Sequence, residues 1–443
     1  MKKLFGTDGI RGVAGEPPLD RATAYAVGSA LARWIDSKKL EREVVIGMDT
    51  RESGTWLAEH VAGGLAEGGV KTRFAGLITT PGVAYVTKTG PFSAGVMISA
   101  SHNPYEDNGI KVVGHSGFKL PDDEEKTIEA SIFERLTRNG TPSPVRLKAD
   151  EGLDRAYTQF LESTLPHGLA GLKIVVDGAN GSGTYLGPTL FEELGARVER
   201  ISCNPDGRNI NLNCGSQHLE GLRERVLATG ADLGVAFDGD ADRALFVSHS
   251  GKIVDGDAVL LLCAIPLHSK GKLTEVVTTV MSNIGLEFAL RHHGISMVRT
   301  AVGDKYVLEE MLRRNAPLGG EQSGHVIFRE FATTGDGLLT ALRVFDVMRS
   351  SARDLDSLTD ELKTFPQKLV NVRVKERKPL EDLDQVQSEI RRAEQEFGEA
   401  GRVVVRFSGT EPLARVMVEG PTSERVDHFC QTISAAIRQE LGA

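Results

Sequence analysis

The sequence predicts an α/β protein built from three related βαβ-type units, with mixed and largely parallel sheets, followed by a smaller C-terminal α+β unit. Two observations carry this reading. Runs of Val and Ile bounded by Gly and Asp alternate with stretches of helical period, the pattern of parallel strands joined by crossover helices, and this pattern recurs three times. After Pro366 the order changes to a strand, a charged helical stretch, two strands and a closing helix.

The first copy runs from a strand at Glu43–Met48 through a turn at Asp49–Arg51 and a helix near Thr55–Glu67 to a strand at Val70–Ile78. The second has a strand at Leu172–Val176, a turn at Asp177–Gly181, a helix near Gly183–Leu194 and a strand at Ala196–Ile201. The third has a strand at Glu275–Val280, a turn at Met281–Asn283, a helix near Ile284–His292 and a strand at Ile295–Arg299. Pro366 ends the preceding helix, because proline lacks the N–H and clashes with the previous turn. Beyond it, strands are expected at Gln367–Val374, Arg402–Phe407 and Arg415–Val418, with helices at Leu380–Phe397 and Ser423–Leu441. A polar stretch with Pro and Ser, Asn139–Ala149, marks a boundary. The expected division is 1–150, 151–256, 257–366 and 367–443.

Composition narrows the function. Lys plus Arg is 52 and Asp plus Glu is 61, a net charge of −9, which argues against a dedicated nucleic-acid binder. Cys203, Cys214, Cys263 and Cys430 form no CxxC pair and have no His at zinc spacing, so they read as reduced thiols of a cytoplasmic protein. Gly6, Thr7 and Asp8 interrupt any signal-peptide core after Lys2 and Lys3. The longest apolar run, Ala258–Leu267, is about half of what a membrane span needs and contains Pro266. A membrane partner is not expected.

Five short motifs carry chemistry. Ser99-Ala100-Ser101-His102-Asn103-Pro104 follows an apolar strand, Ala94–Ile98, and Asn-Pro holds the serine on a turn instead of inside a ladder. His102 and Lys111 supply a titratable ring and a positive charge nearby. An ordinary turn would satisfy the same residues; a hydrolase triad lacks its elbow and its acid partner. Asp238, Asp240 and Asp242 cap the strand Leu233–Phe237, beside Arg243. Carboxylates at alternate positions on one loop repel each other unless a hard dication sits among them, and Mg²⁺ takes few carboxylates plus phosphate oxygens. A solvated acidic turn has the same spacing, but an EF-hand is excluded because His249 stands at the twelfth position.

In Gly319–His325, Glu321, Ser323 and His325 alternate between glycines, a pattern that suits sugar hydroxyls and also any Gly-rich turn. In Arg406-Phe407-Ser408-Gly409-Thr410-Glu411-Pro412, with Arg415 beyond, hydroxyls, backbone N–H groups and arginines can hold a phosphate. A hairpin with solvated arginines is the plain alternative. Phe5–Gly12 reads as a fixed loop aiming Arg11 inward.

Taken in order, GTDGIRG, SASHNPYEDNGIK, DGDADR, GEQSGH and RFSGTEP resemble the α-D-phosphohexomutase superfamily, from Thr7 to Arg415. The resemblance implies four domains around one central cleft. It implies that Ser101 is a phosphoserine that donates and recovers a phosphoryl group, and that Asp238, Asp240, Asp242 and an oxygen on Ser101 hold one Mg²⁺. Arg243 would sit beside the site, and Glu321 and Ser323 would grip the sugar. Arg406, Ser408, Gly409, Thr410 and Arg415 would clamp the other phosphate. Arg11, His102, Lys111 and His325 would line the reacting centre, with Lys111 the first choice for general base and His102 the second. Phe407 departs from the Lys or Pro expected there, leaving the clamp intact.

Gln322 and the YEDNG after SHNP resemble the glucosamine-directed members, which implies interconversion of glucosamine 6- and 1-phosphates. The intermediate would be glucosamine 1,6-bisphosphate, and the product would feed UDP-N-acetylglucosamine and cell-wall precursor synthesis. Glucose or mannose phosphates, a non-catalytic sugar-phosphate-binding regulator and a metal-dependent phosphatase are the rival readings. The resemblance also suggests a homodimer; what first phosphorylates Ser101 is left open by the sequence, a kinase or self-phosphorylation being the candidates.

Overall fold

The computed structural model describes residues 4–6, 8–138, 141–408 and 412–442. Among the described residues, seventeen strands form four sheets. The first sheet contains β1 (Ile10–Val13), β2 (Glu43–Met48), β3 (Lys71–Leu77), β4 (Ala94–Ile98) and β5 (Asp107–Gly114), in the order β1-β5-β4-β2-β3. The second contains β6 (Lys173–Asp177), β7 (Arg197–Ile201), β8 (Leu233–Phe237), β9 (Ala244–Ser248) and β10 (Ile253–Val254), in the order β10-β9-β8-β6-β7. The third contains β11 (Glu275–Thr279), β12 (Ser296–Thr300), β13 (Leu318–Gly320) and β14 (Val326–Phe328), in the order β12-β11-β13-β14. The C-terminal sheet, β15 (Gln367–Arg373), β16 (Arg402–Phe407) and β17 (Leu413–Glu419), is antiparallel with β17 central.

The first three sheets share one plan. A central strand (β2, β6 or β11) pairs in parallel with the strand that follows it and with the third strand, and the third pairs antiparallel with the fourth. This makes the sheets mixed, and it has a chemical consequence. The link from third to fourth strand is a tight reversal at the carboxyl end of a buried strand, where an open α/β sheet presents loops to a ligand. The Ser101 turn joins β4 to β5, the aspartate loop joins β8 to β9, and GEQSGH joins β13 to β14. Three motifs from distant stretches of chain therefore occupy equivalent positions in three equivalent units.

One hydrophobic core runs through all three units, from Val45 and Met97 through Tyr157, Phe191 and Phe237 to Phe345. The helix Gly256–Ser269 is buried along Gly256–Ala264, which explains its apolar run without a bilayer. No helix among the described residues is long and apolar enough to cross a membrane. The helix Glu151–Ser163 bridges units: Phe160 stacks on Tyr85 at 4.4 Å, and the Tyr157 hydroxyl donates to Asp336 at 2.8 Å. A second core fills the other side of the first sheet, and a third lies under the C-terminal sheet. The C-terminal unit docks on the third through Arg402, which donates to the carbonyl of Val280 at 2.8 Å, and Glu419, which accepts from the N–H of Ile284 at 2.9 Å.

The structure differs from the sequence reading at the N-terminus. Part of the expected loop is β1, antiparallel to β5 with Ile10 opposite Ile110. Both isoleucines are fully buried in the first unit's core, so local glycines yield to tertiary pairing.

Candidate active site

Ser101 is buried and left-handed, with φ of 53°. A non-glycine residue holds that conformation only where its surroundings over-determine it. Here they do. Its N–H donates to Ser99 Oγ at 2.9 Å, and Ser99 Oγ donates to Asp49 at 2.6 Å. Arg51, fully buried, pairs with Asp49 at 3.0 Å and donates to the carbonyls of Ser101 (2.9 Å), Asn103 (3.0 Å) and Pro104 (2.7 Å). The result aims Ser101 Oγ at Asp238, 2.6 Å away, with His102 Nδ1 at 3.5 Å.

Asp238, Asp240 and Asp242 are all buried, and each offers a carboxylate oxygen within 4.8 Å of the others. Among the described residues, the Oδ1 atoms of Asp240 and Asp242 have no hydrogen-bond partner. Buried, unpaired carboxylate oxygens converging on one point, beside a serine hydroxyl, fit a hard dication such as Mg²⁺. Burial, then Asp242 and Asp240, push the Asp238 carboxyl well above its ordinary pKa. Burial acts the same way on Asp242, but His325, Lys111 and Arg243 outweigh it and hold Asp242 well below the usual range.

Positive groups surround the trio. Lys111 Nζ lies 2.7 Å from Asp240 and 2.9 Å from Asp8. Burial would drive its proton off, but Asp240 and Asp8 overcome this and raise its pKa. Arg11 pairs with Asp8 and donates to the carbonyl of Ala100 at 3.2 Å. Arg243 is part-buried with Nε 3.8 Å from Asp242. His102 is pushed down to about 4, by burial and then by Arg243 and Arg11, so its ring is neutral near pH 7. His325 is buried and faces Asp242 at 3.5 Å through Nδ1, while Nε2 accepts from the N–H of Gly335 at 3.0 Å. Burial would lower its pKa, but Asp242, Asp304 and Glu321 together outweigh it and raise it, while the Gly335 bond needs a lone pair on Nε2 and so leaves the ring proton on Nδ1, toward Asp242.

A cleft of about 1040 Å³ opens from Ser101 and His102. Arg11, Asp242 and Arg243 line it, with Glu321, Gln322, Ser323 and His325 opposite. Glu321 accepts from the N–H of Gly303 at 3.2 Å, and the Gln322 amide donates to Asp255 at 3.3 Å. The structure thus brings together the expected residues of the first three units. Arg406, Ser408 and Arg415 stand apart, on the β16–β17 hairpin of the C-terminal unit, and do not line this cleft. Arg406 and Arg415 are opposite neighbours across the strands. Burial and then Arg415 push the Arg406 guanidinium below its ordinary pKa. Gly409 and Thr410, also expected in the clamp, lie outside the described residues.

Sequence reasoning missed several contributors. Asp8 pairs with Arg11, Lys111 (2.9 Å) and Lys119 (2.7 Å), and Lys119 also reaches Asp304 of the third unit at 2.6 Å. Thr80 donates its hydroxyl to Asp240. Gly239 reads in the sequence only as a spacer between aspartates, yet a Cβ there would stand 2.4 Å from the carbonyl oxygen of Ser101. Gly239→Ala is therefore expected to displace the Ser101 turn and lower kcat by about 10-fold or more, since overpacking costs about 1–3 kcal/mol. Steady-state kinetics beside a thermal melt checks this, and unchanged values in both would refute the close approach.

Comparison with known proteins agrees with this arrangement. Residues 2–139, 155–251, 255–365 and 369–436 match the phosphoglucomutase/phosphomannomutase alpha/beta/alpha domains I, II and III and the C-terminal domain, respectively. The phosphoglucosamine mutase of Solibacter usitatus is 60% identical over 443 residues, covering 100% of this chain and 99% of its own. That of Koribacter versatilis is 48% identical over 454 residues, covering 100% and 98%. The chain belongs to the phosphoglucomutase/phosphomannomutase family. As a phosphohexomutase it is an isomerase, and its architecture is that of solved relatives. A phosphoglucomutase/phosphomannomutase family protein from Burkholderia thailandensis superposes with a TM-score of 0.82 at 23% identity, covering 99% of this chain and 98% of its own. A structure described as a phosphomannomutase from Thermus thermophilus gives 0.77 at 24% identity, covering 98% and 97%.

Proposed function

We propose that this phosphohexomutase interconverts glucosamine 6-phosphate and glucosamine 1-phosphate through a phosphorylated Ser101 and a glucosamine 1,6-bisphosphate intermediate. The observation that carries the reading is the aim of a left-handed, buried Ser101 at a cluster of three buried carboxylates, at the edge of a cleft of about 1040 Å³ that Ser101 and Asp242 line. Support for the amino sugar comes from the full-length relatives named phosphoglucosamine mutase.

Phosphoryl transfer asks a protein mainly for positioning and charge compensation. Asp238, Asp240, Asp242 and the Ser101 oxygen are the residues that would hold Mg²⁺, which supplies charge neutralisation at the transferred group when bound. In the forward half, the bond from Ser101 Oγ to phosphorus breaks as a sugar hydroxyl bonds to that phosphorus. The hydroxyl proton passes to Lys111 or His102 and from there to the departing Ser101 Oγ, and the same transfers run in reverse in the second half. His102 starts neutral, whereas Lys111 must first give up the proton that Asp240 and Asp8 hold on it. The bisphosphate then turns, and its other phosphate returns to Ser101 Oγ. Arg11, Arg243 and His325 supply fixed positive charge or polarity around the centre, and Glu321 and Ser323 orient the sugar hydroxyls.

Arg406, Ser408, Gly409, Thr410 and Arg415 would clamp the phosphate that is not reacting. Closure of the C-terminal unit onto the cleft would bring them to it. Arg415→Ala is expected to raise KM for sugar phosphate by about 10- to 100-fold, the worth of a charge-assisted pair, with kcat much less affected. A fall in kcat with KM unmoved would contradict the clamp.

The four-part division at 1–150, 151–256, 257–366 and 367–443, a cytoplasmic location, a homodimer and priming of Ser101 by a kinase or by self-phosphorylation belong to the same proposal. The substrate is tested by kcat/KM for glucosamine, glucose and mannose 6-phosphates side by side. A ratio favouring glucosamine 6-phosphate supports it, and preference for either neutral sugar overturns it.

A further inference from the structure

We infer that Asn211 is a positioning residue for phosphoryl transfer, reaching from the second unit to fix the left-handed turn that presents Ser101 Oγ. The inference rests on the reading of Ser101 as the phosphoryl carrier. Asn211 Nδ2 donates to the carbonyls of Ser101 at 2.9 Å and Asn103 at 3.0 Å. Arg51 Nη2 donates to the same two oxygens at 2.9 and 3.0 Å. One donor comes from the first unit and the other from the second, so the turn is gripped from both sides. A carboxamide nitrogen carries two hydrogens and can serve both carbonyls at once.

The strap is itself anchored. Asn211 is left-handed (φ 59°), and its N–H donates to the carbonyl of Ala179 at 2.9 Å, another left-handed residue (φ 53°). Gly239 completes the seat, because a Cβ there would stand 2.4 Å from the Ser101 carbonyl oxygen and 2.9 Å from Asn211 Nδ2. The Ser101 carbonyl is thus packed against the metal loop of the second unit, with Asn211 closing over it. If the strap were lost, the serine backbone would be free to leave its strained conformation and swing Oγ away from Asp238.

Two variants test this. Asn211→Gly removes the side chain while leaving a left-handed backbone allowed. Asn211→Asp keeps the shape but turns a donor into an acceptor facing two carbonyl oxygens. The expected result is a kcat lower by about 10-fold for the Gly variant and about 100-fold for the Asp variant, as misplacement of a reacting group produces. KM for sugar phosphate and Mg²⁺ affinity stay within about twofold, and a thermal melt like wild type separates this from a loss of folded protein, which by itself would also lower apparent kcat at constant KM. The rate at which Ser101 acquires phosphate from glucosamine 1,6-bisphosphate, followed by intact mass, falls by the same factors. If wild-type protein loads Ser101 and Asn211→Gly loads it equally fast, or if the loss appears in KM or Mg²⁺ affinity instead, the inference is overturned. If wild-type protein never loads Ser101, the carrier reading beneath it fails instead.

Discussion

Ser101→Ala is expected to lower kcat by at least about 10⁴-fold, because in the proposed reaction it deletes the protein atom that carries the phosphoryl group in both halves. The fold is expected to survive. The left-handed turn is held through the backbone, by Ser99, Arg51 and Asn211, and none of these contacts uses Ser101 Oγ. A variant that melts like wild type, binds sugar phosphate and shows no phosphate by mass spectrometry fits the account. Turnover close to wild type would sink it.

The second large effect is expected at the carboxylates. Asp242→Asn keeps the volume but removes a charge from a trio whose oxygens lie within 4.8 Å of one another. Mg²⁺ affinity by calorimetry should fall on the order of 100-fold, at the upper end of what perturbing a metal site produces. Activity should fall with it and recover in part at high Mg²⁺. The same change removes the carboxylate that faces His325 Nδ1 at 3.5 Å, so part of the loss is a ring that has lost its partner. Affinity equal to wild type would mean that the aspartates serve another purpose.

Much of this site is readable in the sequence because its chemistry is packed into contiguous motifs. DGDADR places three carboxylates on one loop, and SASHNP stops a strand just before the serine. Helices such as Ile284–His292 and Ser423–Leu441 lie where periodicity puts them, since amphipathic stretches between strong turn signals leave few alternatives. What pattern reading misses has one physical cause. Asp49 and Arg51 act on a turn 50 residues away, and Asn211 acts on it from 110 residues away. Nothing in their local sequence distinguishes a buried arginine serving three carbonyls from a solvated one. β1 escapes for the same reason, because its strand character comes from pairing with β5. The topology supplies the rest, for it puts each motif at the same reversal of each unit.

The most direct test of the central claim is ³¹P NMR of the protein with Mg²⁺, glucosamine 6-phosphate and a trace of glucosamine 1,6-bisphosphate. The account predicts a growing glucosamine 1-phosphate resonance with no inorganic phosphate. Release of inorganic phosphate, or no conversion by protein whose Ser101 carries phosphate, would contradict it.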